Sequence, residues 1–294
     1  MHPLLLLKAI GFFLLVVIGI PGNMFILIQF TFIKIIEKKL LPTNTILTVL
    51  ATANLLVIFS RIIPQSLYAI GIEDLLDNTE CKLVIYTYRV SRAMSICTTS
   101  LLSCHQCILI APSTKVWTYL KQKVSQNVMT IIIILCFINL SMYPYSFLAL
   151  ARKKYHNVPI RSTLDFIFVG LMALASIYIV FTLLRHEKTV KGIRSSNRGQ
   201  KRSTEYKASR VVILLVALYV VLFGLDNSMW IYTLTLSNAS SDMNDIRIFL
   251  ASSYATLSPI VIIITNPKLK HSWKNSFRKQ SFHGDAGLVF SISK

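Results

Sequence analysis

Arg89-Val-Ser-Arg92-Ala-Met-Ser-Ile-Cys-Thr-Thr-Ser-Leu-Leu-Ser-Cys-His-Gln-Cys-Ile-Leu-Ile-Ala-Pro112 is the centre of a mostly apolar stretch, Val84 to Lys123, long enough to cross a bilayer. Along it Arg89, Arg92, Ser95, Thr99, Ser103 and Gln106 recur at spacings of three and four, so one face of the helix is polar throughout. A charged arginine facing hydrocarbon costs several kcal/mol, so this face must look at other helices or at a wet cavity. The spacing therefore predicts a helix in the middle of a membrane bundle.

Outward from that stretch the composition agrees. Of 294 residues, 54% are hydrophobic and 15% charged, and the mean hydropathy is +0.60, too apolar for an ordinary water-soluble domain. The formal net charge of +19 could suggest nucleic acid as a partner. That reading needs a basic face on a soluble fold, whereas these charges lie between apolar runs. The partner implied is the lipid bilayer, and nucleic acid is excluded. The start, Met1-His-Pro-Leu-Leu-Leu-Leu, has no basic n-region and no small-residue cleavage site, which predicts a retained first anchor.

Runs of about twenty apolar residues predict an all-α, seven-span transmembrane bundle with spans near 4–33, 45–70, 83–110, 128–150, 164–184, 211–235 and 246–265. Residues 1–265 form the membrane domain on this reading and 266–294 a tail. One set of loops holds Lys34, Lys38 and Lys39, then Lys115, Lys121 and Lys123, then nine basic residues between Arg185 and Arg210, then the tail. The other set is charged chiefly at Arg152, Lys153, Lys154 and Arg161. The bias predicts an extracellular N-terminus and a cytoplasmic C-terminus. The loop from Arg185 to Arg210 reads either as an anchor for anionic lipid or as a docking surface for a cytosolic partner.

Gly22, Asn23, Asn54, Pro64, Pro144 and Ser258-Pro259 mark places where a span can bend. Counting depth at roughly 1.5 Å per residue, Arg61, Arg92 and Asp226 all fall about 14 Å below the outer ends of their spans. Shared depth predicts an Arg92–Asp226 or Arg61–Asp226 pair lining a cavity open to the outside. Gln65, Arg89, Asn227, Trp230, Ser252 and Tyr254 fall at similar depth and give it polar and aromatic walls. The competing reading is a sealed ion pair that only fixes helix packing.

Catalytic apparatus is not visible. Cys104-His-Gln-Cys107 has metal or redox spacing but lies toward the end of an apolar span with no second pair. The other histidines are scattered, and neither a phosphate-binding glycine loop nor a nucleophile elbow occurs. No cofactor and no metal is expected. Asn238-Ala-Ser240 is a glycosylation sequon between spans six and seven, whereas Asn139-Leu-Ser141 lies inside span four.

Four stretches carry a resemblance. They are Arg89-x-x-Arg92-x-x-Ser-Ile-Cys-Thr-Thr-Ser-Leu-Leu-Ser-x-x-Gln106 with Pro112, Tyr178-x-Val-x-x-Leu-Leu-Arg185-His-x-x-Thr-Val-Lys-Gly-Ile-Arg-Ser-Ser196, Arg202-Ser-Thr-Glu-Tyr-Lys-Ala208 and Thr256-Leu-Ser-Pro-Ile-Val-Ile-Ile-Ile264. From span one to span seven the chain resembles the vomeronasal type 1 receptors, while bitter taste receptors share only the general layout. The resemblance implies a plasma-membrane chemosensory G-protein-coupled receptor for pheromone-like small molecules, coupled to an inhibitory-class heterotrimeric G protein. His105, Gln106, Arg185, His186, Lys188, Lys191 and Arg194 are then candidates for the G-protein surface. His105 and Gln106, with Pro112, occupy the end of span three where many related receptors carry an acidic-arginine-aromatic triplet, absent here. The family also implies a disulfide from Cys81 to the second outer loop, but residues 152–162 contain no cysteine, so none is predicted. That loop is shorter than the family pattern and lacks its sugar site. Two further readings stay open: a non-signalling relic of the family, and a small membrane transporter, for which internal repeats are missing.

Overall fold

The computed structural model describes residues 3–38, 40–72, 76–111, 114–151, 199–235 and 241–266, with single positions between 167 and 181 and between 269 and 273. It is all-α. The helices are α1 (Pro3–Glu37), α2 (Pro42–Val57), α3 (Ile63–Ala69), α4 (Asn78–Ile110), α5 (Lys115–Ala151), α6 (Gly199–Thr235) and α7 (Ser241–Thr265). A single π turn, Ile58–Ile62, joins α2 to α3. Taking α2, the π turn and α3 as one span, six helices among the described residues are long and apolar enough to cross a membrane. The predicted fifth span, 164–184, lies for the most part outside the described residues.

Helix ends run beyond the apolar runs that predicted them. α4 begins five residues ahead of Leu83 because Asp77 and Glu80 form a capping box, the Asp77 backbone N–H donating to the Glu80 carboxylate at 3.2 Å. α5 starts at Lys115 instead of 128, through a polar turn that suits the headgroup region and is invisible to a hydropathy count. Its Lys121 ammonium donates to the Ala111 carbonyl at 2.8 Å, capping the end of α4.

α4 is the central helix. Two-thirds of its most apolar stretch, 67%, is buried by neighbouring helices, against 11% for α5, although α4 carries the polar face. Its serines and threonines make this tolerable by donating back to carbonyls four residues earlier: Ser91 to Thr87, Thr98 to Met94, Thr99 to Ser95 and Ser103 to Thr99. The peripheral helices show lipid the opposite pattern, with Leu7, Phe13, Ile28 and Phe32 of α1 and Met129, Ile133, Ile134 and Phe137 of α5 exposed.

Pro64 explains the π turn. It has no N–H to offer the preceding turn, and its ring crowds the carbonyl four residues back, so the ladder takes up one extra residue and the Ile63 N–H reaches the Ile58 carbonyl. Ser60 donates its hydroxyl to the Leu56 carbonyl in the same turn.

α1 fits against this region because Gly19 lacks a side chain. A Cβ there would stand 2.7 Å from Ile58 Cδ1 and 2.8 Å from Thr256 Oγ1, and Thr256 is held by its hydrogen bond to the Leu15 carbonyl at 3.1 Å. Ile58 can swing away; Thr256 cannot without losing that bond. Gly19→Ala is therefore expected to lower stability by about 1–3 kcal/mol, read as the melting midpoint of purified protein in detergent. Gly224→Ala, where a new Cβ meets nothing within 4 Å, is the control and should be neutral or slightly stabilising. Equal behaviour of the two variants would show that α1 does not pack this closely.

Candidate ligand site and polar core

Halfway along the bundle a chain of neutral polar side chains ties four helices together. Asn54 of α2, completely buried, donates to Ser258 Oγ of α7 at 2.8 Å and accepts from Ser95 Oγ of α4 at 2.9 Å. Its amide also lies 3.5 Å from Asn23 Oδ1 of α1. Asn23 in turn donates to the Gly19 carbonyl at 2.8 Å and to the Ala255 carbonyl of α7 at 2.9 Å. The Ala255 carbonyl is the one four residues before Pro259, whose ring nitrogen has no hydrogen to offer it. Asn23 thus satisfies an acceptor that the proline orphans.

Toward the end of the bundle at which α1 begins, the side chains become charged. Arg92 Nη2 of α4 meets Asp226 Oδ2 of α6 at 2.7 Å, and Arg247 Nε of α7 approaches Asp226 Oδ1 at 3.7 Å, an ion pair too long for a hydrogen bond. Asp226 is buried; Arg92 and Arg247 keep 27% and 31% of their side chains open to solvent. Arg92 Nη1 also donates to the Tyr88 hydroxyl at 3.5 Å, and the Arg61 guanidinium lies 5.6 Å from the centre of the same Tyr88 ring. A second group sits nearby: Asp245 of α7 accepts from Lys8 of α1 at 2.6 Å and from Gln65 of α3 at 2.9 Å.

Beside Arg92 there is a cavity of about 20 Å³. Asn54, Ser95 and Arg92 form its polar wall, and Val57, Leu222, Phe223, Leu250, Ala251 and Ala255 its apolar one. Tyr219 and Tyr254 close it, their rings edge to face at 5.0 Å, with the Tyr254 hydroxyl 2.8 Å from Thr99 Oγ1. Such a space admits about one water and no organic molecule.

Of the residues that sequence depth grouped, the structure brings Arg92, Asp226 and Tyr254 to this cavity or its rim, and Arg61 to Tyr88 beside it. Gln65 instead joins the Lys8–Asp245 group. Arg89 is exposed on α4. Asn227 donates to the Phe223 carbonyl within its own helix at 2.7 Å, Ser252 is buried away from the cavity lining, and the side chain of Trp230 lies outside the described residues. Arg247 was missed because it stands at the outer end of the predicted seventh span, well above the depth counted for Asp226; its long side chain reaches Asp226.

At the opposite end, His105 and Gln106 are not on a surface. They are 3% and 2% exposed, and Gln106 donates to Thr43 Oγ1 of α2 at 3.3 Å. Nearness to a helix end does not expose a residue when the helix is central. Arg185, His186, Lys188, Lys191, Arg194 and Asn238 lie outside the described residues. All five cysteines of the chain are described and none forms a disulfide; Cys81 is exposed in the first turn of α4.

Comparison with known proteins places this arrangement. A family model described as the "Vomeronasal organ pheromone receptor family" matches residues 7–157 and 146–275. The chain is similar to the zebrafish (Danio rerio) olfactory receptor class A-like protein 1, 35% identical over 289 residues that cover 90% of each chain. It is also similar to the gorilla (Gorilla gorilla gorilla) vomeronasal type-1 receptor 1, 30% identical over 286 residues, 89% of this chain and 81% of that one. The human (Homo sapiens) vomeronasal type-1 receptor 3 is 28% identical over 288 residues, 89% of this chain and 92% of the other.

Proposed function

The chain belongs to the vomeronasal type 1 receptor family, and from that premise we propose that it binds a pheromone-like small molecule among its helices and passes the signal to an inhibitory-class heterotrimeric G protein. It is a multi-pass membrane protein of the chemosensory receptor class and not an enzyme. The ligand site on this proposal is the charged half of the bundle, with Arg61, Gln65, Arg89, Arg92, Asp226, Asn227, Trp230 and Tyr254 as candidates. The G-protein site is the opposite end, with the loop carrying Arg185, His186, Lys188, Lys191 and Arg194.

The observation that supports this reading best is the Arg92–Asp226–Arg247 cluster, its carboxylate buried and its arginines partly open to solvent, held between α4, α6 and α7 beside a cavity too small for a ligand. Charge in a membrane bundle is costly unless it serves a site or a pathway. A ligand larger than that cavity enters by moving helices, and the π turn beside Pro64 and the proline at 259 within α7 supply places to move. A ligand that binds the open arrangement better shifts the population toward it.

Seven crossings with an extracellular N-terminus belong to the same proposal, as do a membrane domain over 1–265 and a cytoplasmic tail over 266–294. In support, α5 finishes near the end at which α1 begins, where the Tyr86 hydroxyl donates to the Leu140 carbonyl at 3.2 Å. α6 begins at the opposite end, where Val211, Val212 and Leu215 pack with Ile262 and Leu269. A chain joining those ends crosses the bundle once more. Of the described positions within that stretch, Ile167, Leu174, Ile177 and Phe181 recur at helical spacing and are exposed and apolar, as lipid-facing residues are.

The test is nucleotide exchange on an inhibitory-class G protein in cells bearing an N-terminal epitope, challenged with a broad odorant library. The expected result is surface staining of intact cells and exchange driven by at least one compound. Surface staining with no exchange on that G-protein class, while another class responds, would refute the coupling. Absence of any surface protein, with a family member reaching the surface in parallel, would favour the non-signalling relic.

A further inference from the structure

Resting on the reading that residues 266–294 are cytoplasmic, we infer that the start of this tail docks on anionic lipid headgroups of the inner leaflet, and that lipid held there fastens α7 to α1. Asn266 builds the segment. Its N–H closes the last turn of α7 on the Ile262 carbonyl at 3.1 Å, and its own carbonyl accepts from the Lys270 N–H at 2.9 Å. Its Oδ1 accepts from the Leu269 N–H at 3.5 Å, a long bond in the manner of an N-cap, so one residue ends a helix and starts the next. Pro267, which follows in sequence, is the residue type that favours the first helical position. Leu269, Lys270 and Trp273 are helical.

Those three residues show two faces. Leu269 is buried in the cluster that holds Ile26 and Phe30 of α1 and Ile262 of α7. Trp273 meets Phe25 of α1 edge to face, the ring centres 4.6 Å apart. Lys270 is exposed. The sequence repeats both faces at a spacing of four, with Leu269, Trp273 and Phe277 in one stripe and Lys270, Lys274 and Arg278 in the next. Phe277, Lys274 and Arg278 enter by sequence spacing alone and lie outside the described residues. Lys268 and Lys279 raise the lysines and arginines between Asn266 and Gly284 to five, and no acid occurs from Ile246 to Gly284.

A basic stripe beside an apolar one is the pattern of a helix lying in the headgroup region. Its seat agrees. α1, which receives Trp273, turns Ile28 and Phe32 outward, so the segment rests on a helix that borders lipid. Tryptophan suits that boundary, its ring apolar and its N–H polar. Cations at the surface of an anionic leaflet are attracted to its headgroups, and the tail offers these ones no carboxylate before Asp285. The two anchors also give lipid a structural effect. Phe25 is two residues from Asn23, whose amide ties α1 to the Ala255 carbonyl of α7. Holding Leu269 and Trp273 in place keeps those halves of α1 and α7 together, and leaflet charge becomes a stabiliser of this helix arrangement.

The experiment follows melting of the purified full-length protein in dodecylmaltoside micelles doped with phosphatidylserine or phosphatidylcholine, with inorganic phosphate as the free-anion probe. Phosphatidylserine is expected to raise the midpoint, and phosphatidylcholine and inorganic phosphate to leave it. The rise should fade at high salt. Titrating phosphatidylserine gives an apparent affinity. Lys270→Gln should weaken it about fivefold, and Lys270→Gln, Lys274→Gln and Arg278→Gln together about a hundredfold, with melting in phosphatidylcholine unchanged. Trp273→Ala should melt lower in both lipids and gain less from phosphatidylserine, because the link to α1 is gone. Arg198→Gln, Lys201→Gln and Arg202→Gln together, in the other basic stretch, should keep the native shift. An equal rise with phosphatidylcholine or inorganic phosphate, native affinity in the triple tail variant, or loss of the shift through the loop variant would each overturn the inference. So would a charge-dependent rise from purified G protein with none from phosphatidylserine, which would give the stripe to a protein partner. Micelles have no sides, so the result does not depend on topology. A C-terminal epitope stained in intact cells would break the cytoplasmic reading and leave the lipid site standing; an epitope reached only after permeabilisation, with no phosphatidylserine shift, would do the reverse.

Discussion

Asp226→Asn is expected to destabilise the receptor by about 3 kcal/mol, the low end of the cost of breaking a buried ion pair because both arginines keep roughly a third of their side chains open to solvent. The exchange leaves shape nearly unchanged and removes the charge that Arg92 and Arg247 share. Those guanidinium groups then face each other without the carboxylate that both of them approach, so the loss exceeds that of one hydrogen bond. Surface expression and the detergent melting midpoint should both fall. Arg92→Gln combined with Asp226→Asn should lose less than the two single changes added together, because no orphaned Arg92 remains. Exchanging the partners, Arg92→Asp with Asp226→Arg, should fail to rescue: the new arginine would stand against Arg247, which approaches position 226 to 3.7 Å. A melting midpoint for Asp226→Asn equal to the native one would mean that solvent already screens the cluster.

How the charged cluster was legible, and how far, follows from what a sequence encodes about a membrane helix. Depth along the bilayer normal is countable, and it put Arg61, Arg92 and Asp226 at one level. Azimuth around each helix is countable only while the helix keeps 3.6 residues per turn. α4 does, so Arg92, Ser95, Thr99 and Gln106 were read as one face, and they contact Asp226, Asn54, Tyr254 and Thr43 in turn. The second span does not: the π turn at Ile58–Ile62 shifts the phase of everything beyond it. Hence depth alone left two candidate partners for Asp226, and the choice of Arg92 over Arg61, with Gln65 drawn to Asp245, emerges only in three dimensions. Side-chain length hid Arg247 in the same way, since depth was counted at the backbone. The polar centre was half visible. Asn23, Asn54, Ser258 and Pro259 stood out as punctuation in apolar runs, but that one amide satisfies the carbonyl freed by another helix's proline depends on α1 and α7 touching at Gly19.

Asn54→Ala is the other change expected to have a large effect, roughly 2–3 kcal/mol from two well-formed interhelical hydrogen bonds and the polar groups left without partners. The ranking of its neighbours tests the mechanism more sharply than the size of the loss. Ser258→Ala removes the 2.8 Å acceptor of the Asn54 amide, whose remaining protein contact is Asn23 at 3.5 Å, so a buried N–H is left nearly orphaned. Ser95→Ala removes a donor, leaving the Asn54 carbonyl oxygen as an under-used acceptor. Buried structures tolerate an unsatisfied oxygen better than an unsatisfied N–H. The expected order of damage is therefore Asn54→Ala, then Ser258→Ala, then Ser95→Ala, measured as melting midpoints in one detergent. Coupling in the Asn54→Ala, Ser258→Ala double-mutant cycle should be about 0.6–1.7 kcal/mol. A reversed order of the two serine variants would mean that Asn54 presents its oxygen to α7 and its nitrogen to α4. A coupling indistinguishable from zero would mean that the helices are held by apolar packing around Ile58, Ile96 and Ile262 and that the polar chain rides on it.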